Sequence, residues 1–133
     1  MIRNYETPEG TIALINSTSV TVPVKVFTSS TTGGPIAGGV TGRTNAITTI
    51  AFCNTAAPST ADETTNQVIV NIYIVRSGKS YDSGNLIVSN LTVPAGETVF
   101  FSEERIVLDS GDEIWVGTSA ASRLSVTVSA LAV

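Results

Sequence analysis

The chain has 133 residues, of which 14% are charged, and eleven acids against seven bases leave a net charge of −4. That length is one domain with room for a real core, and its acidic balance offers no basic stripe to displace counterions from a phosphate backbone, which argues against nucleic-acid binding. Histidine is absent, and with it go the common transition-metal ligand and the common general base.

Thr, Ser, Val, Ile, Ala and Gly dominate the sequence, a mixture that suits pleated strands better than helices. Its polarity comes from hydroxyls more than from ions, so its surface is cheap to desolvate against a neighbour. The N-terminus, MIRNYETPEG, is polar and reads as no secretory signal. No apolar run approaches the roughly 20 residues of a helical membrane span.

In chain order, Thr11 to Asn16 and Val20 to Phe27 read as two strands joined at Ser17-Thr18-Ser19. Val20, Val22, Val24 and Val26 alternate with Thr21, Pro23, Lys25 and Phe27 at a period of two. Pro23 cannot donate to a ladder and marks an edge strand. A hairpin of this size is unstable alone, so it must pack on the main domain or on another subunit. Ser29 to Thr44, with five glycines and a proline, reads as a flexible linker. It is not a phosphate cradle, because Gly42-Arg43-Thr44 has Arg where a P-loop needs Lys, and Ala37 stands where its first Gly belongs. Residues 1–44 are thus expected to form an N-terminal arm, and residues 45–133 a β-sandwich domain.

Ile47 to Asn54 is the first strand of that domain, and a polar loop, Thr55 to Thr65, follows. Val68 to Val75 is apolar on both faces, as befits a central strand covered on both sides. Ser77-Gly78-Lys79 and Asp82-Ser83-Gly84 are turns on either side of Tyr81. From Asn85 to Trp115 short strands are punctuated by Pro94-Ala95-Gly96 and by Asp109-Ser110-Gly111-Asp112. Leu124, Val126, Val128 and Ala130 alternate with Ser125, Thr127, Ser129 and Leu131 in a half-buried last strand. About seven strands after residue 44, with no helical period, predict an all-β antiparallel sandwich or jelly roll carrying an N-terminal β-hairpin arm.

The search for chemistry yields little. Glu103, Glu104, Asp109, Asp112 and Glu113 cluster in sequence, but acids in a polar turn are ordinarily solvated and their spacing is not that of a calcium loop. Cys53 lies in an apolar strand and reads as a small buried hydrophobe. No base stands ready to activate the many hydroxyls. Neither a catalytic residue, nor a metal ligand, nor a cofactor site is expected. If Ile114 and Val116 face the core, Trp115 points the other way with Glu113 and Gly117; a covered strand and a subunit or ligand interface both account for it. Tyr73 poses the same choice. Val22, Val24, Val26, Phe27, Tyr73 and Trp115 are the candidate interface residues.

The segments NAITTIAFCNT, VIVNIYIVRSG, NLIVSNLTVPAGET, RIVLDSGDEIWV and VTVSALAV resemble, in this order, the small β-sandwich structural proteins of tailed bacteriophages, cyanophages among them. The resemblance spans residues 45–133 and carries over no functional residue. It implies a non-enzymatic part of the virion made in the host cytoplasm. A capsid decoration (cement) protein that binds and stabilises the shell is the first expectation; a neck, tail or baseplate component is the second. A homo-oligomer, a trimer above all, and the major capsid protein or other virion proteins are the implied partners, with no nucleic acid or membrane among them. A carbohydrate-binding or adhesion module, with Trp115 or a tyrosine stacked on a sugar ring, is the alternative from another class. Because the acids occupy turn positions, a metal chelator is expected to leave the melting temperature unchanged; a drop of several degrees would show that residues 109–113 hold calcium.

Overall fold

The computed structural model describes residues 2–5, 14–29, 44–62, 64–102 and 106–132; of residues 2–5, 131 and 132 it describes the backbone alone. Among the described residues nine strands form: β1 (Ile2–Tyr5), β2 (Val24–Thr28), β3 (Asn45–Asn54), β4 (Val68–Val75), β5 (Leu86–Val93), β6 (Thr98–Phe101), β7 (Ile106–Leu108), β8 (Glu113–Thr118) and β9 (Leu124–Ala132). Among the described residues the sole helical element is a single 3-10 turn, Ser83–Asn85.

The pairing is nested. The first strand lies beside the last, the second beside β8, the third beside β6 and β7, and the fourth beside the fifth, all antiparallel. Rolling that long ribbon up adds the ladders β3–β9 and β4–β8. One sheet then runs β1-β9-β3-β6 with β7 also on β3, and the other runs β2-β8-β4-β5. Because β6 and β7 share one side of β3, eight strand positions result, ordered as in a jelly roll. The expected all-β sandwich is the fold.

The alternation expected from sequence builds the core. Ile47, Ile50 and Phe52 of β3 and Leu124, Val126, Val128 and Ala130 of β9 point inward from one sheet. Val68, Val70 and Ile72 of β4 and Ile114 and Val116 of β8 meet them from the other. β4 is central, as expected, with β8 and β5 as neighbours. Turn chemistry closes the ribbon where Pro and Gly were read. The Glu97 N–H donates to the Pro94 carbonyl at 3.2 Å across Ala95 and Gly96, and Gly96 takes the positive φ of 73° that a type II turn needs there.

The N-terminal region differs from expectation. Among the described residues the two segments around Ser17-Thr18-Ser19 do not pair with each other. Leu14 bridges to Ser125, and the Ile15 N–H donates to the Leu124 carbonyl at 2.8 Å, on the first sheet; β2 joins the second. The turn is a crossover between sheets, pinned where the Thr118 hydroxyl donates to the Ser17 carbonyl at 2.8 Å and the Ser17 hydroxyl to the Val22 carbonyl at 2.8 Å. The division at residue 44 into arm and sandwich is therefore corrected: β1 and β2 are strands of the sandwich itself. The glycine-rich stretch 30–43, read as a linker, lies outside the described residues.

The strict alternation read into β2 also fails, for a definite reason. Lys25 faces Trp115 while Phe27 faces Ile114, so two residues of β2 answer one of β8. Such a bulge turns consecutive side chains inward, and Val26 and Phe27 are both buried, at 1% and 2% exposure. β2 pairs with β8 alone, and Pro23 precedes it, as an edge strand allows.

Beside this crossover, β8 has glycine where the space is smallest. A Cβ on Gly117 would collide with the carbonyl of Val20, and backbone cannot swing aside as a side chain can. Gly117→Ala is expected to destabilise the fold by roughly 1–3 kcal/mol, read as a fall of several degrees in melting temperature.

Candidate functional site

The outer faces of the two sheets differ in chemistry. On the five-stranded sheet, Thr98, Phe100 and Val107 share the solvent side with Ala46, Thr49, Ala51 and Cys53 of β3 and Ser125, Thr127 and Ser129 of β9. Their neighbours in sequence form the core, so alternation puts them outside. Cross-strand rows follow from register: Phe100–Ala51–Thr127 and Thr98–Cys53–Ser125. No charged side chain stands at a described position of these rows. Phe100 is 64% exposed and Val107 57%, high values for large apolar residues on a surface otherwise of hydroxyls and methyls. Cys53, expected to be buried, sits half-exposed on this face between Thr98 and Ser125.

The outer face of the four-stranded sheet is aromatic and charged. Trp115 donates its indole N–H to Glu113 Oε1 at 3.1 Å, and Glu113 also meets Lys25 Nζ at 3.2 Å. Tyr81, on the loop after β4, packs its ring 5.2 Å from Trp115 and 6.1 Å from Tyr73, centre to centre. Tyr73 is buried on this face because the crossover covers it; its hydroxyl donates to the Val20 carbonyl at 2.8 Å. A cleft of about 230 Å³ opens beside these rings, between Thr21 and the loop at Tyr81, Asp82 and Ser83.

A second hollow, of about 470 Å³, lies between Pro58, Ser59 and Thr64 on one side and Pro94 to Glu97 on the other. Asp62 orders the loop beside it by accepting the Thr64 N–H at 2.9 Å and the Thr64 hydroxyl at 2.8 Å. Those bonds hold the exposed Asp62 carboxyl below its ordinary value. The hollow brings together no titratable cluster.

Of the six candidate interface residues, the structure unites two. Tyr73 and Trp115 lie in one aromatic group, with Tyr81, previously read only as a residue between turns, joining them. Val22 is exposed at 56%, apart from that group. Val26 and Phe27 are part of the core and are corrected from interface to interior, while Val24 is partly buried against it. Trp115 lies half-buried on the outer face, and Tyr81 partly covers it. Phe100 and Val107 were missed, although the alternation of Val99, Phe100 and Phe101 carried the signal for the first.

The acidic turn is structural. The buried Asp112 carboxylate accepts the Ser77 N–H at 3.0 Å, the Asp109 N–H at 3.1 Å and the Arg76 guanidinium at 2.9 Å. The Asp112 main chain also binds β2's end, its carbonyl accepting the Ser29 N–H at 2.8 Å. Arg76 already supplies the positive charge a cation would bring. Comparison with protein-family models gives no match, and comparison with curated proteins gives none. The residues themselves therefore carry the functional argument. Asp112→Ala strands two N–H groups and a guanidinium, and is expected to cost about 2–3 kcal/mol, measurable by urea unfolding.

Proposed function

We propose that this protein is a non-enzymatic structural component of a tailed-phage virion, a capsid decoration protein that attaches to the shell and to copies of itself through the outer face of its five-stranded sheet. The observation that carries the proposal is the exposure of Phe100 and Val107 on a face whose described cross-strand rows hold no charged side chain. Burying an ion against a neighbour costs several kcal/mol unless it is paired, whereas hydroxyls and methyls can be covered with little penalty. An acidic chain of net charge −4 repels its own copies, and contact is least opposed along rows whose described positions hold no acid. The resemblance of residues 45–133 to virion proteins supports the same reading. So does the jelly-roll order, an architecture that serves capsid and lectin domains, though a fold alone never names a function.

This reading keeps the expected partners, the homo-oligomer and the major capsid protein, and changes the contact. β2 packs within its own sandwich, so an exchanged hairpin is no longer the means of association. A neck, tail or baseplate position would use the same face on a different neighbour.

The test is a pair of substitutions, Phe100→Asp and Val107→Asp. Both sites are exposed, so the melting temperature should move little. The wild-type protein is expected to sediment with shells that lack it and to scatter light as an oligomer, and the double variant to do neither. A double variant that kept full mass and full shell binding would remove this face from the argument. Cryo-EM of the particle places the protein on head, neck or tail.

A further inference from the structure

We propose that the cleft on the outer face of the four-stranded sheet binds a neutral pyranose unit of a glycan. It lies on the opposite side of the sandwich from the assembly face and does not depend on that face's role.

The floor of the cleft is built, not incidental. Asn71 and Tyr73 belong to the outward-facing set of β4, yet are only 5% and 4% exposed. Asn71 Oδ1 accepts the Asn90 N–H at 2.8 Å, and its amide nitrogen reaches the Tyr73 hydroxyl at 3.4 Å. Asn90 has a positive φ of 58° inside a bulge, where Val70 pairs with Leu91 but Ile72 with Val88. A bulge of this kind bends the edge strand and commonly borders a functional site. Together with the Tyr73–Val20 bond, these contacts fix both side chains before any ligand arrives, and a preorganised site loses less entropy on binding.

The walls supply what a sugar ring requires. Tyr81 is 36% exposed and braced against Tyr73 and Trp115, with interplanar tilts of 58° and 44°. Its π face carries the partial negative charge that attracts the C–H edge of a pyranose. Asp82 is held by a capping box: its Oδ1 accepts the Gly84 N–H at 2.7 Å while its own N–H donates to Asn85 Oδ1 at 3.0 Å. The Asp82 carboxylate also accepts the Asn85 N–H in that capping box and keeps lone pairs to spare, and no bond among the described residues engages the Ser83 hydroxyl, so a carboxylate acceptor and a donor–acceptor hydroxyl stand beside the ring. Thr21 Oγ1, bonded to Ser19 Oγ at 2.9 Å, adds a hydroxyl on the facing wall.

Size and charge narrow the ligand. The volume of about 230 Å³ falls below the roughly 300–1,000 Å³ of drug-sized sites and has room for one ring, with the rest of a chain outside. The described residues lining the cleft include no Lys or Arg, so among them a phosphate, sulfate or sialic acid would meet Asp82 without a countercharge. One carboxylate among hydroxyls and an amide matches a polyhydroxylated neutral ring better than a cation.

The chain has one tryptophan, and it touches Tyr81, so its emission reports on the cleft. The full chain is titrated with the methyl glycosides of glucose, galactose, mannose and N-acetylglucosamine, with inositol and choline as controls. At least one glycoside is expected to give a saturable change, half-complete on the order of millimolar, the range open to so small a ligand. Tyr81→Ala should raise that midpoint at least about tenfold and Tyr81→Phe leave it within about twofold, since the ring does the stacking. Ser83→Ala, at an exposed site, should weaken binding without moving the melting temperature. Saturation by choline but not by a glycoside would overturn the proposal, as would equal responses to inositol and the glycosides, no saturable response to any glycoside, or undiminished binding in Tyr81→Ala. Phe100→Asp and Val107→Asp leave the titration unchanged, so failure of either reading is seen separately.

Discussion

The ladder between β3 and β9 sets the rest of the molecule in place. It joins Asn45–Asn54 to Leu124–Ala132 across most of the chain, in a register running from Asn45 opposite Ala132 to Asn54 opposite Leu124. Side chains alternate across a sheet with a period of two, so a slip of one residue would turn every inward side chain out. Ile50 opposite Val128 and Phe52 opposite Val126 therefore fix which residues meet the second sheet. The same choice fixes the outside: Ala51 must face out beside Thr127, and Phe100, paired to Ala51, must face out with it. The apolar core and the hydroxyl-and-methyl rows outside it are two consequences of one register.

The two sheets answer their outer sides differently. Short residues on β3 and β9 leave a low surface on one, without charge at its described positions. On the other, the crossover through Val20 and the loop carrying Tyr81 fold back over β4 and β8. Gly117 permits the first of these coverings, because the Val20 carbonyl occupies the place a side chain would take. Asp112 ties the start of the second to the turn before β8, through the Ser77 N–H and Arg76. The cleft beside Tyr81 exists because both coverings stop short of each other.

What could be read from the sequence was what depends on neighbours in the chain. β9 was legible because its alternation runs unbroken, and β4 because it is apolar on both sides. The turns at Pro94-Ala95-Gly96 and Asp109–Asp112 were legible because Pro, Gly and Asp act locally. The N-terminal strands were misread because their partners are remote: Val24 lies opposite Val116 and Leu14 opposite Ser125. Ser17-Thr18-Ser19 is a real turn, but a turn signal does not say whether the chain returns to the same sheet. The bulge in β2 adds one residue to the count and sends Phe27 inward, a shift that no period-two pattern contains. Tyr81 left no signal, since its role rests on rings that are neighbours only after folding.

The proposed roles follow from this division without competing for surface. In a sandwich the inner faces are spent on the core, with about 10 Å between sheets, so only the outer faces and the loops can meet a partner. A protein that attached through its aromatic face would have to cover Lys25, Glu113 and Asp82 and would lose their hydration. One that attaches through the described rows of the opposite face gives up the hydration of hydroxyls and of two apolar side chains already poorly solvated. Under the proposed attachment, that asymmetry would turn Phe100 and Val107 toward the shell and present Tyr81 with its cleft outward, toward the proposed glycan.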